Sequence, residues 1–124
     1  MSRSFLFVPG DSERKLAKAL GCGADALIVD LEDSVDAANR PAARQQARAF
    51  VAESSRSELW VRINPLTTED AEQDLQAVMP SAPHGIVLPK PESAADVRKL
   101  AALLDDLEQQ HSIRLGNTQI LPIV

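Results

Sequence analysis

The chain has a single cysteine, no tyrosine, one tryptophan and three phenylalanines in 124 residues. One thiol, Cys22, excludes an internal disulfide and any metal site built from several cysteines. The two histidines, His84 and His111, have no metal-ligand spacing, and no Ser-His-Asp elbow is readable. Basic residues are also short, 13 against 18 acidic, giving a formal net charge of −5. Such a chain, 3% aromatic, lacks the basic footprint and the stacking platforms of a general nucleic-acid binder. No apolar run approaches the roughly 20 residues of a membrane span. The run Phe5 to Val8 is cut by Pro9-Gly10 and is too short for a signal-peptide core. The expectation is a cytoplasmic protein with neither nucleic acid nor membrane as partner.

What is present is an alternation of short apolar runs with longer amphipathic ones. Phe5–Val8, Ala26–Leu31, Leu59–Asn64, Gly85–Lys90 and Ile120–Val124 read as strands. Between them lie helical patterns. Asp11 or Ser12 caps the first, whose apolar stripe is Leu16, Ala17, Ala19 and Leu20, with Gly21 and Gly23 as stop signals. Pro41 suits the first turn of the second, with Ala43, Ala47, Phe50 and Val51 inward. Ala71, Leu75 and Val78 mark a third, ended by Pro80. Ser93 and Asp96 resemble a capping box for the fourth, through Val97, Leu100, Leu104 and Leu107. The order βαβαβαβαβ with near-continuous apolar strands implies a parallel sheet covered by helices. Two architectures fit: a complete five-strand doubly wound sheet, or part of an eight-unit barrel of about 250 residues.

Parallel α/β folds place their sites at the carboxyl ends of strands. Four successive strands here deliver polar groups to that edge: Pro9-Gly10-Asp11, Asp30-Leu31-Glu32-Asp33, Arg62-Ile63-Asn64 and Pro89-Lys90. Alternation puts Trp60, Arg62 and Asn64 on one face of the third strand, with Val61 and Ile63 on the other. A guanidinium on a covered sheet face needs an anion, either an internal carboxylate such as Asp30 or Glu32, or a ligand. Its planar fork suits a carboxylate or an enolate oxygen. The acidic cluster suits magnesium, directly or through waters, and equally suits orienting Arg62 or capping the next segment. Lys90 is free to bind an anion, to pair with the acids, or to be solvated. The Phe7-to-Asp11 turn before a helix has no Gly-x-Gly-x-x-Gly or Walker pattern, so it points only faintly to phosphate.

These segments resemble a known family. Arg3-Ser4-Phe5-Leu6-Phe7-Val8-Pro9-Gly10, Val29-Asp30-Leu31-Glu32-Asp33-Ser34-Val35, Val61-Arg62-Ile63-Asn64-Pro65 and Leu88-Pro89-Lys90-Pro91-Glu92-Ser93 are similar, in order and spacing, to the HpcH/HpaI aldolase and citrate lyase β-subunit family. Pro91 departs from the Val or Ala often found there. The resemblance implies a magnesium-dependent TIM barrel, usually a homo-trimer or hexamer or part of a lyase complex. Such enzymes cleave or form a C–C bond beside a thioester or α-keto acid through a metal-bound enolate. Residue by residue, it implies that Arg62 binds the substrate's carboxylate or carbonyl oxygen, and that Glu32 and Asp33 lie beside the metal. Phe7, Val8 and Lys18 fall where malyl-CoA lyases contact CoA.

The same resemblance implies that the two carboxylates ligating Mg2+ directly come after Val124. The expectation is therefore the N-terminal half of a TIM (β/α)8 barrel, about four and a half βα units over residues 1–124. The parent would be an acyl-CoA carbon–carbon lyase, and this stretch alone inactive. Alternatives are a CoA-independent 2-keto-3-deoxy acid aldolase of the same family, an inactive remnant, or a complete small five-strand domain. A receiver-type domain fails on order. It needs its acidic pair after strand one and its Lys after strand five, whereas here the acids follow strand two and Lys90 follows strand four.

Overall fold

The computed structural model describes residues 4–21, 23–54 and 58–123; Arg3, Cys22 and Val124, all named above, lie outside them. Five strands alternate with four helices: β1 (Phe5–Pro9), α1 (Glu13–Ala19), β2 (Ala26–Asp30), α2 (Arg40–Glu53), β3 (Leu59–Arg62), α3 (Glu69–Val78), β4 (Gly85–Pro89), α4 (Ala94–Gln110) and β5 (Gln119–Ile123). The expected signals operate locally. The Ser12 hydroxyl accepts from the Lys15 amide at the start of α1, Pro41 sits in the first turn of α2, and Met79–Ser81 tightens into a 3-10 turn at Pro80. At α4 the Ser93 hydroxyl accepts from the Ala95 amide. The reciprocal arm differs from a standard capping box, because Asp96 accepts from the Glu92 amide instead of that of Ser93.

The strand order decides between the two architectures. All four pairings are parallel and the order is β1-β2-β3-β4-β5, each strand beside its sequence neighbour. A doubly wound sheet reverses direction at a switch point and puts helices on both faces. Here no reversal occurs. One face of the sheet, carrying Val8, Leu27, Val29, Val61, Ile86 and Leu88, packs with the helix residues Leu16, Ala47, Leu75 and Leu100 in one large core. The other face forms a separate small cluster of Ala26, Ile28, Trp60 and Val87, flanked by Leu121 and Ile123, with no helical residue in it. Sequential parallel strands with helices on one side are the winding of a (β/α)8 barrel, carried through four and a half units.

Gly85 shows how tightly the inner face is filled. A Cβ there would sit 2.3 Å from Trp60 Cζ3 and 2.9 Å from the Gln119 carbonyl oxygen. The sheet's two edges differ from its centre: β2 and β4 are buried throughout, whereas Phe5, Leu6 and Phe7 of β1 are 42%, 40% and 43% exposed and β5 is at most half-buried.

Candidate functional site at the carboxyl ends of the strands

β2 and β3 end on the same ladder rung, where Asp30 faces Arg62. The two side chains meet in a side-on fork: Arg62 Nε donates to Asp30 Oδ1 and Nη2 to Oδ2, both at 2.8 Å. Asp30 also accepts from the Glu32 amide at 2.9 Å, the Ser34 amide at 3.0 Å and the Ser34 hydroxyl at 2.6 Å. Burial alone would raise this carboxyl. The bonds from Arg62, from Ser34 and from the two backbone amides outweigh burial and hold Asp30 below the usual carboxylate range. In return, the bond to Asp30 pushes the guanidinium further up, so Arg62 is a fixed cation. Of the alternatives open from sequence, the internal carboxylate is thus present, and it is Asp30.

That pairing does not exhaust the arginine. A fork through Nε and Nη2 leaves both Nη1 hydrogens for another acceptor. Its side chain remains 16% exposed, and the Phe7 ring lies beneath it with the guanidinium carbon 4.6 Å from the ring centroid. Glu32 is 5% exposed; its Oε1 stands 3.6 Å from Arg62 Nε and has no hydrogen-bond partner, while its Oε2 accepts from Lys90 Nζ at 3.0 Å. Lys90 also reaches Asp33 at 3.5 Å. The bond to Glu32 raises the Lys90 ammonium above its ordinary value. Lys90 therefore pairs with the acidic cluster, from a backbone held at φ 50° in the left-handed region. Asp33 is largely exposed and contacts Lys90, not Arg62.

Phe7, Val8 and Lys18 come together with Lys15 along a cleft of about 280 Å3 between β1 and α1, on the open edge of the sheet. Val8 itself is buried in the helix-side core. Glu32, Asp33, Asn64 and Lys90 border a second cleft of about 390 Å3 at the strand ends, with Arg40 and Thr68 opposite. Asn64 corrects the alternation reading. β3 ends at Arg62, the alternation stops with it, and the Asn64 side chain turns to the helix side. There its Nδ2 donates to Asp74 at 2.8 Å and to the Leu31 carbonyl at 3.0 Å. Three residues escaped the sequence reading. Ser34 carries only the weak signal of a hydroxyl after an acidic run. Arg44 and Asp74 are charged residues on the buried faces of α2 and α3, which the apolar periodicity passes over.

The HpcH/HpaI aldolase/citrate lyase family profile matches residues 3–124. The chain belongs to that family. Among its relatives, the citrate lyase subunit beta of Leuconostoc mesenteroides subsp. cremoris is 35% identical over the whole of this chain and 42% of its own length. The (3S)-malyl-CoA thioesterase of Cereibacter sphaeroides is 38% identical over 85% of this chain and 38% of its own length. Among solved structures, the M. tuberculosis citrate lyase beta subunit complexed with oxaloacetate and magnesium superimposes with a TM-score of 0.70 at 34% identity, covering 95% of this chain and 56% of that one. The chain thus spans about two-fifths of the length of the curated relatives it matches.

The carboxylate oxygens of this citrate lyase-family chain decide whether it fits a magnesium ion by itself. A hard cation needs several free oxygens converging on one point. Both Asp30 oxygens are already hydrogen-bonded, Glu32 Oε2 is bound by Lys90, and Asp33 points towards solvent and Lys90. Among the described residues no group of three or more His, Cys, Asp or Glu side chains is arranged to hold a metal ion. These residues do not constitute a magnesium site. Among these carboxylates the buried oxygen without a hydrogen-bond partner in the described residues is Glu32 Oε1, 3.6 Å from Arg62 Nε.

Proposed function

We propose that Arg62 is the anion-binding group of a carbon–carbon lyase, gripping the carboxylate or enolate oxygen of an α-keto acid or acyl-CoA substrate. The observation that carries this reading is the arginine's geometry. Asp30 fixes the guanidinium by one edge, Phe7 supports its face, and the other edge stays unspent at the carboxyl end of a barrel-type sheet. A cation already oriented needs no reorganisation as negative charge grows on a substrate oxygen, which is how such donors lower a barrier. Glu32, with Oε1 beside the same space and Oε2 on Lys90, holds a hydrogen-bond acceptor next to the arginine.

The retro-aldol or Claisen chemistry of citryl-CoA or malyl-CoA type is proposed for the whole protein, of which residues 1–124 supply the substrate arginine and its carboxylates. Any Mg2+ ligation is assigned to residues other than these. Phe7 and Lys18, with Lys15 beside them, are the proposed contacts to a CoA moiety along the β1 edge. An intact mass near 13.4 kDa for the purified protein would contradict the proposal that this stretch is half of a longer barrel, and roughly twice that would support it.

The functional test is substitution of Arg62 in the whole polypeptide, assayed with malyl-CoA, citryl-CoA and 2-keto-3-deoxy acids. Arg62→Ala should abolish cleavage with the fold retained. Arg62→Lys, which keeps the charge and loses the fork, should leave at most a small residue of activity. Unchanged turnover in Arg62→Ala would remove the arginine from the mechanism. Cleavage of the keto acids alone would move the assignment to the CoA-independent aldolases.

A further inference from the structure

The ladder between β2 and β3 stops at the Asp30–Arg62 rung, so main-chain pairing of the two strands ends where the site begins. The last backbone bond between the two strands is Leu31 N–H to the Arg62 carbonyl at 2.9 Å, which closes that rung ahead of the exit segments Leu31-Glu32 and Ile63-Asn64. The rest of the connection is made by side chains. Asn64 Nδ2 donates to the Leu31 carbonyl, bridging the residue between Asp30 and Glu32 to the residue two beyond Arg62. Asn64 is held in turn by Asp74 of α3, whose Oδ2 accepts from both the Asn64 amide, at 2.9 Å, and its Nδ2, at 2.8 Å. Asp74 Oδ1 takes Arg44 Nε at 2.7 Å.

Asp74 is completely buried, 0% exposed. Burial raises its carboxyl, and the bonds from Arg44 and Asn64 only partly offset that. A charge in such a place is poor value for stability alone, since an apolar residue of similar volume is usually as good or better. The α2–α3 contact has other ion pairs to hold it, from Arg40 and Arg44 to Asp70. What Asp74 adds is an acceptor that reaches through the helix layer to the strand exits.

We propose that Asp74 is a positioning residue for Arg62 and Glu32, acting through Asn64 to hold both exit segments in register above the last rung. The functional meaning of that register rests on the reading of Arg62 as the anion-binding group; the mechanical claim does not. Nitrogen-15 NMR of the Arg62 guanidinium in the unliganded chain tests it. Asn64→Ala, which leaves the Asp74–Arg44 pair in place, should speed exchange of the Arg62 Nε–H by about tenfold, the scale of one lost net hydrogen bond. Asp74→Asn should do the same, and the double variant should add little to either single one. Leu100→Ala, a core truncation in α4, controls for general loosening and should leave that proton's exchange unchanged once global stability is matched. Asn64→Ala leaves Asp74 with its Arg44 partner and the main-chain amide of residue 64, so a failure of Asp74→Asn to fold still leaves a decisive arm. Unchanged Arg62 exchange in Asn64→Ala, or an equal change in Leu100→Ala, overturns the proposal. Failure of wild type to bind an α-keto acid would instead count against Arg62 as the binding group, with the exchange result standing by itself.

Discussion

Arg62 and Asp30 show what single residues contribute and how far each was legible. A lone arginine in an apolar strand run announces a need for an anion, and the acids at the end of the neighbouring strand supply one. Which acid could not be read from spacing. Asp30 wins because it ends β2 on the rung opposite Arg62, while Glu32 lies past the end of the ladder. Replacing Arg62 by Ala should cost about 2 kcal/mol of stability, because Asp30 keeps its Ser34 and Glu32 donors while losing its charge partner. Chemical denaturation measures this directly. Acid should act on the same pair. A carboxyl held below its usual range stabilises the fold above its unfolded value, near pH 4, and that contribution fades as pH falls through the folded value. Asp30→Asn should therefore flatten the loss of melting temperature below about pH 4. Asp74, shifted upward, has the opposite sign: its contribution is fully present below about pH 4 and is lost as pH rises through its raised folded value.

At the scale of elements, periodicity served well wherever the ladder or the helix was regular. The strand and helix positions and the buried stripe of α4 followed from apolar spacing, since burial is what that spacing records. It failed at element ends and inside helix interfaces. Asn64 lies beyond the last rung and turns away from Arg62, while Arg44 and Asp74 are buried charges that an apolar pattern has no means of marking. Ala17 and Leu20, counted in the stripe of α1, are both exposed, and only Leu16 and Ala19 of that helix are buried. Two tests belong here. Gly85→Ala should destabilise by about 1–3 kcal/mol, since its Cβ would overlap Trp60 and the Gln119 carbonyl at the start of β5. At the exit of β4, Lys90→Gly should melt above Lys90→Ala, because both lose the ammonium and only glycine relaxes at a φ of 50°.

For the molecule as a whole, the alternation of βα units fits both a small doubly wound sheet and part of a barrel, and the family resemblance implies the barrel. Strand order settled it, a property no single-chain pattern displays: β1 to β5 lie in sequence, with the helices on one side. The consequence is two unlike faces and two edges. Leu6 and Phe7 on the β1 edge, 40% and 43% exposed, are apolar residues expected to seek a neighbouring strand. Expressed as residues 1–124, the protein should associate with rising concentration. Leu6→Lys, placing a charge on that edge, should shift sedimentation velocity profiles towards the monomer. A wild-type monomer at all concentrations would show that the edges are satisfied within the chain.

The most direct test of Arg62 as an anion-binding group is titration of the protein with oxaloacetate while following the Arg62 guanidinium resonances. Saturable movement of the Nη1 signals, with the Nε signal held by Asp30 and binding lost in both Arg62→Ala and Arg62→Lys, is the predicted result. Oxaloacetate binding that leaves those resonances unmoved, or that survives intact in Arg62→Ala, would contradict it.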